Sequence, residues 1–320
     1  MPQVNIEDDQ NPVIPAEEPI MEQPANTIPT PEENSPKEDA ILPPSDKIAG
    51  LGAEELNDPN KISVTIADKD APIVVLFGPP ACGKTMTLVR LTRFLRDNGY
   101  AVSPVRTFRP TFDANYSDIC DNFDIMMNQD DAAKSTSKIS FMLVKVSKNG
   151  RTICQILEAP GEYYFNPNVP KSPFPRYFNA IKSSKNRKIW TILVEPDWQN
   201  ESDRLNYVDR IRKLKTQMSV RDNTIIVYNK IDKTEFLIDN SGNAHMELAR
   251  KNICDLYPNI FEPFKNTTPL IRWLVPYKLK FAIFQTGDYS TSSDGTSLFE
   301  QGPDVFPRRL WNIILSKVRG

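Results

Sequence analysis

His245 is the only histidine in 320 residues, and the four cysteines, Cys82, Cys120, Cys154 and Cys254, form no CxxC pair. Catalysis that rests on a histidine base, a His-rich metal centre, and a zinc or disulfide framework are therefore set aside. Widely spaced thiols suit a reducing cytoplasm. No apolar run is long enough to span a bilayer. The start of the chain has neither the basic residues nor the apolar stretch of a secretory signal.

What charge there is lies unevenly. The first sixty residues hold eleven of the 28 prolines and fourteen Asp or Glu against two lysines, Lys37 and Lys47, a net charge of −12. Their hydrophobic residues are scattered singly, so no core offsets the entropy of ordering the chain. Residues 1–60 are expected to form a disordered acidic tail and residues 61–320 the folded body. That body carries 37 Lys+Arg against 27 Asp+Glu, about +10. Its basic runs, KSSKNRK (182–188) and RIRKLK (210–215), lack the aromatic interleaving of a nucleic-acid stacking platform. They read as a solvated surface with the tail as counter-charge, and otherwise as a site for acidic lipid or protein.

Along the body, KISVTIAD (61–68) alternates apolar and polar residues and predicts an edge strand. PIVVLFG (72–78) is a short unbroken apolar run, the pattern of a strand buried on both faces. Leu88, Leu91 and Leu95 then recur at helical spacing, with Gly99 where the helix should stop. Residues 102–138 read as a long irregular connection. Two β-rich runs flank Asn149-Gly150 and predict an antiparallel hairpin. Strands over 188–197, 223–232 and 278–289 alternate with helices marked by Leu205 to Met218, by Met246 to Leu256, and by Leu310 to Val318 after Pro307. Such alternation predicts a mostly parallel α/β sheet, doubly wound, with one antiparallel hairpin built in.

The segment Gly78, Pro79, Pro80, Ala81, Cys82, Gly83, Lys84, Thr85 matches GxxxxGK[ST] between the buried strand and the helix. Glycines there let the backbone wrap a phosphate, and amides at a helix N-terminus supply positive potential. Lys84 can reach the β- and γ-phosphates, and Thr85 can ligate Mg²⁺. The bland alternative is a Gly-Pro turn capping an ordinary helix. Further on, the strand IIVY runs straight into Asn229, Lys230, Ile231 and Asp232. A turn would use Asn and Asp too. Beside a phosphate-binding loop, however, the base of a nucleotide must lie over the carboxyl ends of later strands. Asp232 can accept from guanine N1–H and the 2-amino group, two donors that adenine lacks. Lys230's stem can lie along the ring, and Asn229 can tie this loop to the phosphate loop.

With these motifs in this order the chain resembles the Ras-like, translation-factor-related class of P-loop GTPases over roughly residues 72–320. The resemblance implies GTP or GDP with Mg²⁺ as ligands, GTP hydrolysis as the reaction, and a protein effector or regulator as partner. The family's DxxG motif falls on Glu158-Ala-Pro-Gly161, where Glu158 replaces the usual Asp and its extra methylene unsettles the metal contact. The resemblance implies that Gly161 offers its amide to the γ-phosphate. Glu162 stands where relatives orient the attacking water, and it can either position that water or repel the γ-phosphate. Both glutamates otherwise read as an acidic turn. The switch threonine that completes the metal site falls best on Thr136, with Thr107 and Thr111 upstream alternatives. Arg106 and Arg109 can act as an arginine finger or be surface residues of a loop. A base-contacting segment closing the last strand falls on Gln285, Thr286 and Gly287. Within 259–279, Phe261, Phe264, Leu270, Ile271 and Trp273 are expected to pack back onto the domain, the alternative being a partner-docking patch. Two rivals to a slow GTPase switch stay open: an ATP-dependent enzyme, and a scaffold that binds guanine nucleotide without hydrolysing it.

Overall fold

The computed structural model describes residues 51–111, 113–128, 141–234, 245–291 and 297–319. Seven strands form one sheet in the order β2-β3-β4-β1-β5-β6-β7. They are β1 (Ile73–Phe77), β2 (Ala101–Pro104), β3 (Met142–Lys148), β4 (Arg151–Glu158), β5 (Lys188–Val194), β6 (Asn223–Tyr228) and β7 (Lys280–Ile283). Strand β3 alone runs against the rest. It pairs antiparallel with β2 and β4, whereas β4, β1, β5, β6 and β7 are mutually parallel. The β3–β4 hairpin turns at Asn149 and Gly150 with φ of 52° and 75°. This left-handed pair is what a two-residue turn needs to match strand twist. The mostly parallel sheet with one reversed strand is the architecture that the alternation of elements predicts.

Strand β1 is buried along its whole length, as its unbroken apolar run requires. Helix α2 (Lys84–Asp97) follows it and ends at Asn98, with Gly99 left-handed at φ 76°. Around the sheet lie α6 (Glu201–Gln217), α7 (Met246–Leu256) and α9 (Val305–Arg319). On one face Phe77, Tyr164, Phe174, Phe178 and Tyr207 interlock, with ring centroids 4.1–6.3 Å apart.

Several elements depart from the sequence reading. Residues 62–67 form no strand, although Ile62, Val64 and Ile66 do turn inward. They are tied by Ile62 N–H to Pro59 O, by Thr65 N–H to Phe108 O and by the Arg109 guanidinium on Ser63 O. The supposed irregular connection contains β2 and a fifteen-residue helix, α3 (Ala114–Asn128). The last strand stops at Ile283, and Gly287–Thr291 pairs instead with Ser297–Gln301 in a separate two-stranded ribbon.

Residues 51–60, grouped with the tail on composition, carry the short helix α1 (Ala53–Asn57), and Leu51 is buried. Arg109, read as a finger or a surface residue, is a buried tie. Its guanidinium binds both Glu55 oxygens at 2.6 Å, Asp113 at 2.9 Å and Ser63 O at 2.6 Å. Arg106 pairs with Asp121 and Asp124 on the exposed flank of α3.

Candidate functional site: a phosphate loop facing an NKxD loop

Four loops meet at the carboxyl ends of the parallel strands: 78–85 after β1, 158–162 after β4, 229–232 after β6 and 284–287 after β7. The first wraps tightly. Ala81 (φ 59°) and Gly83 (φ 87°) are left-handed, so successive amides turn toward one concavity. A Cβ on Gly78 would lie 2.4 Å from Cys82 Sγ, and one on Gly83 would lie 2.4 Å from Asn229 Nδ2. A side chain at either place would displace Cys82 or Asn229, and at Gly83 it would also strain a left-handed backbone. The Lys84 ammonium donates to Pro79 O at 2.8 Å and is buried at the mouth of the loop. Burial pushes the Cys82 thiol up to about 11, so this loop cysteine stays protonated.

Gly161 opens a one-turn helix, α4 (Gly161–Tyr164), against the phosphate loop. A side chain there would strike Pro80 N at 2.3 Å and Pro79 C at 2.4 Å. Glu158, at the end of β4, is buried. Its Oε1 accepts from the Thr85 hydroxyl at 3.0 Å, and its Oε2 accepts from Phe141 N–H at 2.8 Å. Burial raises its pKa, opposed by the Lys84 ammonium and by those two donors. The extra methylene thus reaches Thr85 directly, leaving two oxygens side by side at the helix start. Oxygen ligands of this kind, one or two from the protein with phosphates completing the shell, suit Mg²⁺. A cation there would favour the charged form of this carboxylate and oppose the effect of burial. Among the described residues no group of three or more His, Cys, Asp or Glu could hold a metal alone.

The 229–232 loop is joined to the 78–85 loop. Asn229 Nδ2 donates to Cys82 O at 2.9 Å, with Asn229 itself buried. Lys230 is left-handed at φ 54°. Its ammonium pairs with Glu195, just past β5, and lies 3.7 Å from Asp197. Burial works against the charged lysine, but the Glu195 carboxylate more than offsets it and the pKa rises. Asp232 sits in a 3-10 turn, Ile231–Lys233, half-buried. The 284–287 segment abuts this loop through Ile231 N–H to Phe284 O at 3.4 Å. Thr286 O accepts from Gly302, and Gly287 opens the ribbon. Glu162 is exposed on the first turn of α4. Thr136 lies outside the described residues.

Sequence reasoning passed over three participants. Glu195 and Asp197 follow a buried strand just as the NKID residues do, so the same strand-to-charge transition marks them. Phe141 has no such signal. Its left-handed backbone (φ 58°), costly for a bulky residue, aims its amide at Glu158.

No protein-family model matches the chain, and no curated protein matches it. Among solved structures, it is similar to nucleolar GTP-binding protein 1 from Plasmodium falciparum (12% identity, 80% of this chain and 90% of that one, TM-score 0.40). It is similar to the GTPase-like domain of Ski7 from S. cerevisiae bound to GDP and inorganic phosphate (12%, 77% and 49%, 0.37). A third is Roco2 RocCORdC from Methanosarcina barkeri bound to GDP (11%, 80% and 51%, 0.32). The chain spans about half the length of the last two. The first is named as a GTP-binding protein, the second as a GTPase-like domain, and the third as bound to GDP.

Proposed function

We propose that this chain binds GTP, hydrolyses it slowly and acts as a nucleotide-dependent switch in the cytoplasm. The observation that carries the reading is the Asn229–Cys82 hydrogen bond, which sets a base-reading loop at a fixed offset from a phosphate-binding loop. The residues divide the work. The amides of 78–85 and the Lys84 ammonium hold the phosphates. Asp232 accepts from the guanine edge, and the Lys230 stem, fixed by Glu195, lies along the ring. Thr286 and Gly287 border the base.

Thr85 and Glu158 would hold Mg²⁺, with Thr136 as the switch ligand. Bound there, the ion would supply positive charge to the nucleotide phosphates. Gly161 offers its amide to the γ-phosphate, and Glu162 orients the attacking water. Catalysis of this kind is positioning and charge stabilisation, which needs no histidine.

One observation favours the non-hydrolysing scaffold instead. The segment after Gly161 is anchored: Tyr164 and Phe165 are buried, Arg210 Nε donates to Tyr164 O at 2.6 Å, and its guanidinium lies 3.7 Å from the Phe174 ring centroid. A clamped segment has less freedom to follow the γ-phosphate. Binding and turnover measured on the purified protein with GTP beside ATP separate the readings. Preferential binding and slow turnover of GTP are expected. Equal use of ATP would point to an ATPase, and GTP binding with no phosphate release to the scaffold.

A further inference from the structure

The stretch TTPLIRWLVP, residues 267–276, is exposed at every position. It contains the short helix α8 (Pro269–Leu274), of which no residue is buried. Leu270 is 76% exposed, Trp273 81%, Leu274 68% and Val275 52%. The neighbouring Phe261 and Phe264 pack into the domain as expected, but Leu270, Ile271 and Trp273 do not. The excursion is fixed at its base. Asn266 N–H donates to Pro276 O at 2.9 Å, Lys278 N–H donates to Phe264 O at 2.7 Å, and Lys265 bridges to Tyr277. The apolar side chains are therefore held outward.

What would cover them is narrowed by shape and charge. At about 100° per residue, Pro269, Leu270, Ile271, Trp273 and Leu274 occupy an arc of roughly 200°, about twice the stripe a helix lays on a flat protein face. Arg272, at about 300° on the same wheel, lies on the opposite face. From Pro263 to Gly287 the chain carries Lys265, Arg272, Lys278 and Lys280 and no acidic residue, and of these Lys265 is paired with Glu262 at 3.0 Å. Two copies docking tip to tip would oppose these cations.

The excursion leads directly into the start of β7, so it lies at the pole opposite the nucleotide loops. That pole is cationic. Burial, and then Lys278, lower the Lys215 pKa. Burial, then Lys280 and Arg187, lower that of Lys317. A cavity of about 830 Å³ opens at the same ends of β1, β5 and β6, lined in part by Lys69, Lys185, Arg187 and Arg221, with Asp70 and Asp222.

We propose that residues 267–276 insert into the interfacial layer of an anionic membrane, with the cationic pole resting on its headgroups. Leucines and a tryptophan enter the boundary between headgroups and acyl chains, and Arg272, Lys278 and Lys280 stay at phosphate level. The helix is far too short to cross, so the protein lies on the surface. Its nucleotide site then faces away from the bilayer.

The test uses the full chain and sedimentation with vesicles of phosphatidylcholine alone or mixed with phosphatidylserine, at low and high salt. Binding to the mixed vesicles that weakens with salt is expected, with tryptophan fluorescence quenched by brominated acyl chains. The double variant Leu270→Ser/Trp273→Ser should lose at least about tenfold in partitioning with its thermal unfolding unchanged, since neither side chain packs on the domain. Absence of binding to anionic vesicles, equal binding to neutral ones, or full binding by the double variant would overturn the proposal. So would a dimer of the free protein that the double variant abolishes without any vesicle binding by the wild type.

Discussion

Asn229 and Cys82, 147 residues apart in sequence, share a 2.9 Å hydrogen bond from side-chain amide to backbone carbonyl. It crosses from the end of β6 to the loop after β1, over the end of β5. Asn229→Ala should loosen the two loops from one another. Removing a buried hydrogen bond and leaving its partner unsatisfied costs about 1–3 kcal/mol. Gly83→Ala should cost at least as much, because its Cβ would meet the same amide at 2.4 Å from a left-handed backbone. Urea unfolding and GTP titration of both variants check this. Wild-type behaviour in both would show the contact to be incidental.

Base choice should follow Asp232. In the wild type, GTP is expected to bind several kcal/mol better than ATP, since a charged acceptor without its donors costs more than the ~1–3 kcal/mol of a neutral group. Asp232→Asn turns one acceptor into a donor and should favour xanthosine triphosphate. Competition binding with the three nucleotides decides it. An unchanged preference in the variant would reduce this loop to a turn.

Two variants separate phosphate binding from water positioning. Lys84→Ala should abolish nucleotide binding while far-UV circular dichroism stays native. Glu162→Ala should alter turnover at similar GTP affinity, since the residue is exposed and makes no contact that the fold needs. Identical turnover would leave Glu162 as part of a solvated turn.

Arg109 should prove structural. It joins Glu55, Asp113 and Ser63 O while 2% exposed. Removing one side of a buried pair costs ~3–5 kcal/mol, so Arg109→Ala should lower the melting temperature without changing base selectivity. For the same reason a chain beginning at Leu51 should bind nucleotide with native stability. One beginning at Lys61 gives up Glu55 and the buried Leu51 and should melt earlier. Equal melting of the two chains would show that 51–60 contributes nothing.

Alkaline stability should track three buried thiols. Burial raises Cys82 and Cys120 to about 11 and Cys154 to about 12, whereas thiols of the unfolded chain ionise at ~8.5. The folded state therefore holds protons that the unfolded state has lost. The stabilisation is complete below ~8.5 and disappears as pH rises through the folded values, at up to ~1.4 kcal/mol per pH unit for each group. Denaturant unfolding between pH 8 and 11 reads the slope. Cys154→Ala should shift the whole curve down yet flatten its alkaline limb, and an unflattened limb would assign the slope to other groups.

By itself the sequence determined what short-range pattern can encode. An unbroken apolar run specified a fully buried β1, Asn149-Gly150 specified the hairpin, and glycines at 78 and 83 with Lys84 and Thr85 specified the loop between strand and helix. These are legible because each depends on neighbours in sequence: burial on both faces, two left-handed residues, a backbone that must turn without a Cβ. The alternation of strand and helix carried the parallel sheet for the same reason.

Only the tertiary structure decided which partners meet across it. Residues 62–67 alternate like a strand, yet they sit beside Phe108 rather than in a ladder, and no local pattern reveals a missing partner. Helix α3 was legible in principle, since Tyr116, Ile119, Cys120, Phe123 and Met126 recur at helical spacing and are all buried, but the Asp and Asn residues between them gave the stretch the look of a polar connection. Arg109 looked like any loop arginine until Glu55 and Asp113 came to lie on either side of it. Phe261 and Trp273 belong to one aromatic-rich stretch, and one is buried while the other stands free. Hydrophobicity says that a side chain is better off out of water, whereas chain geometry settles whether this domain or something else covers it.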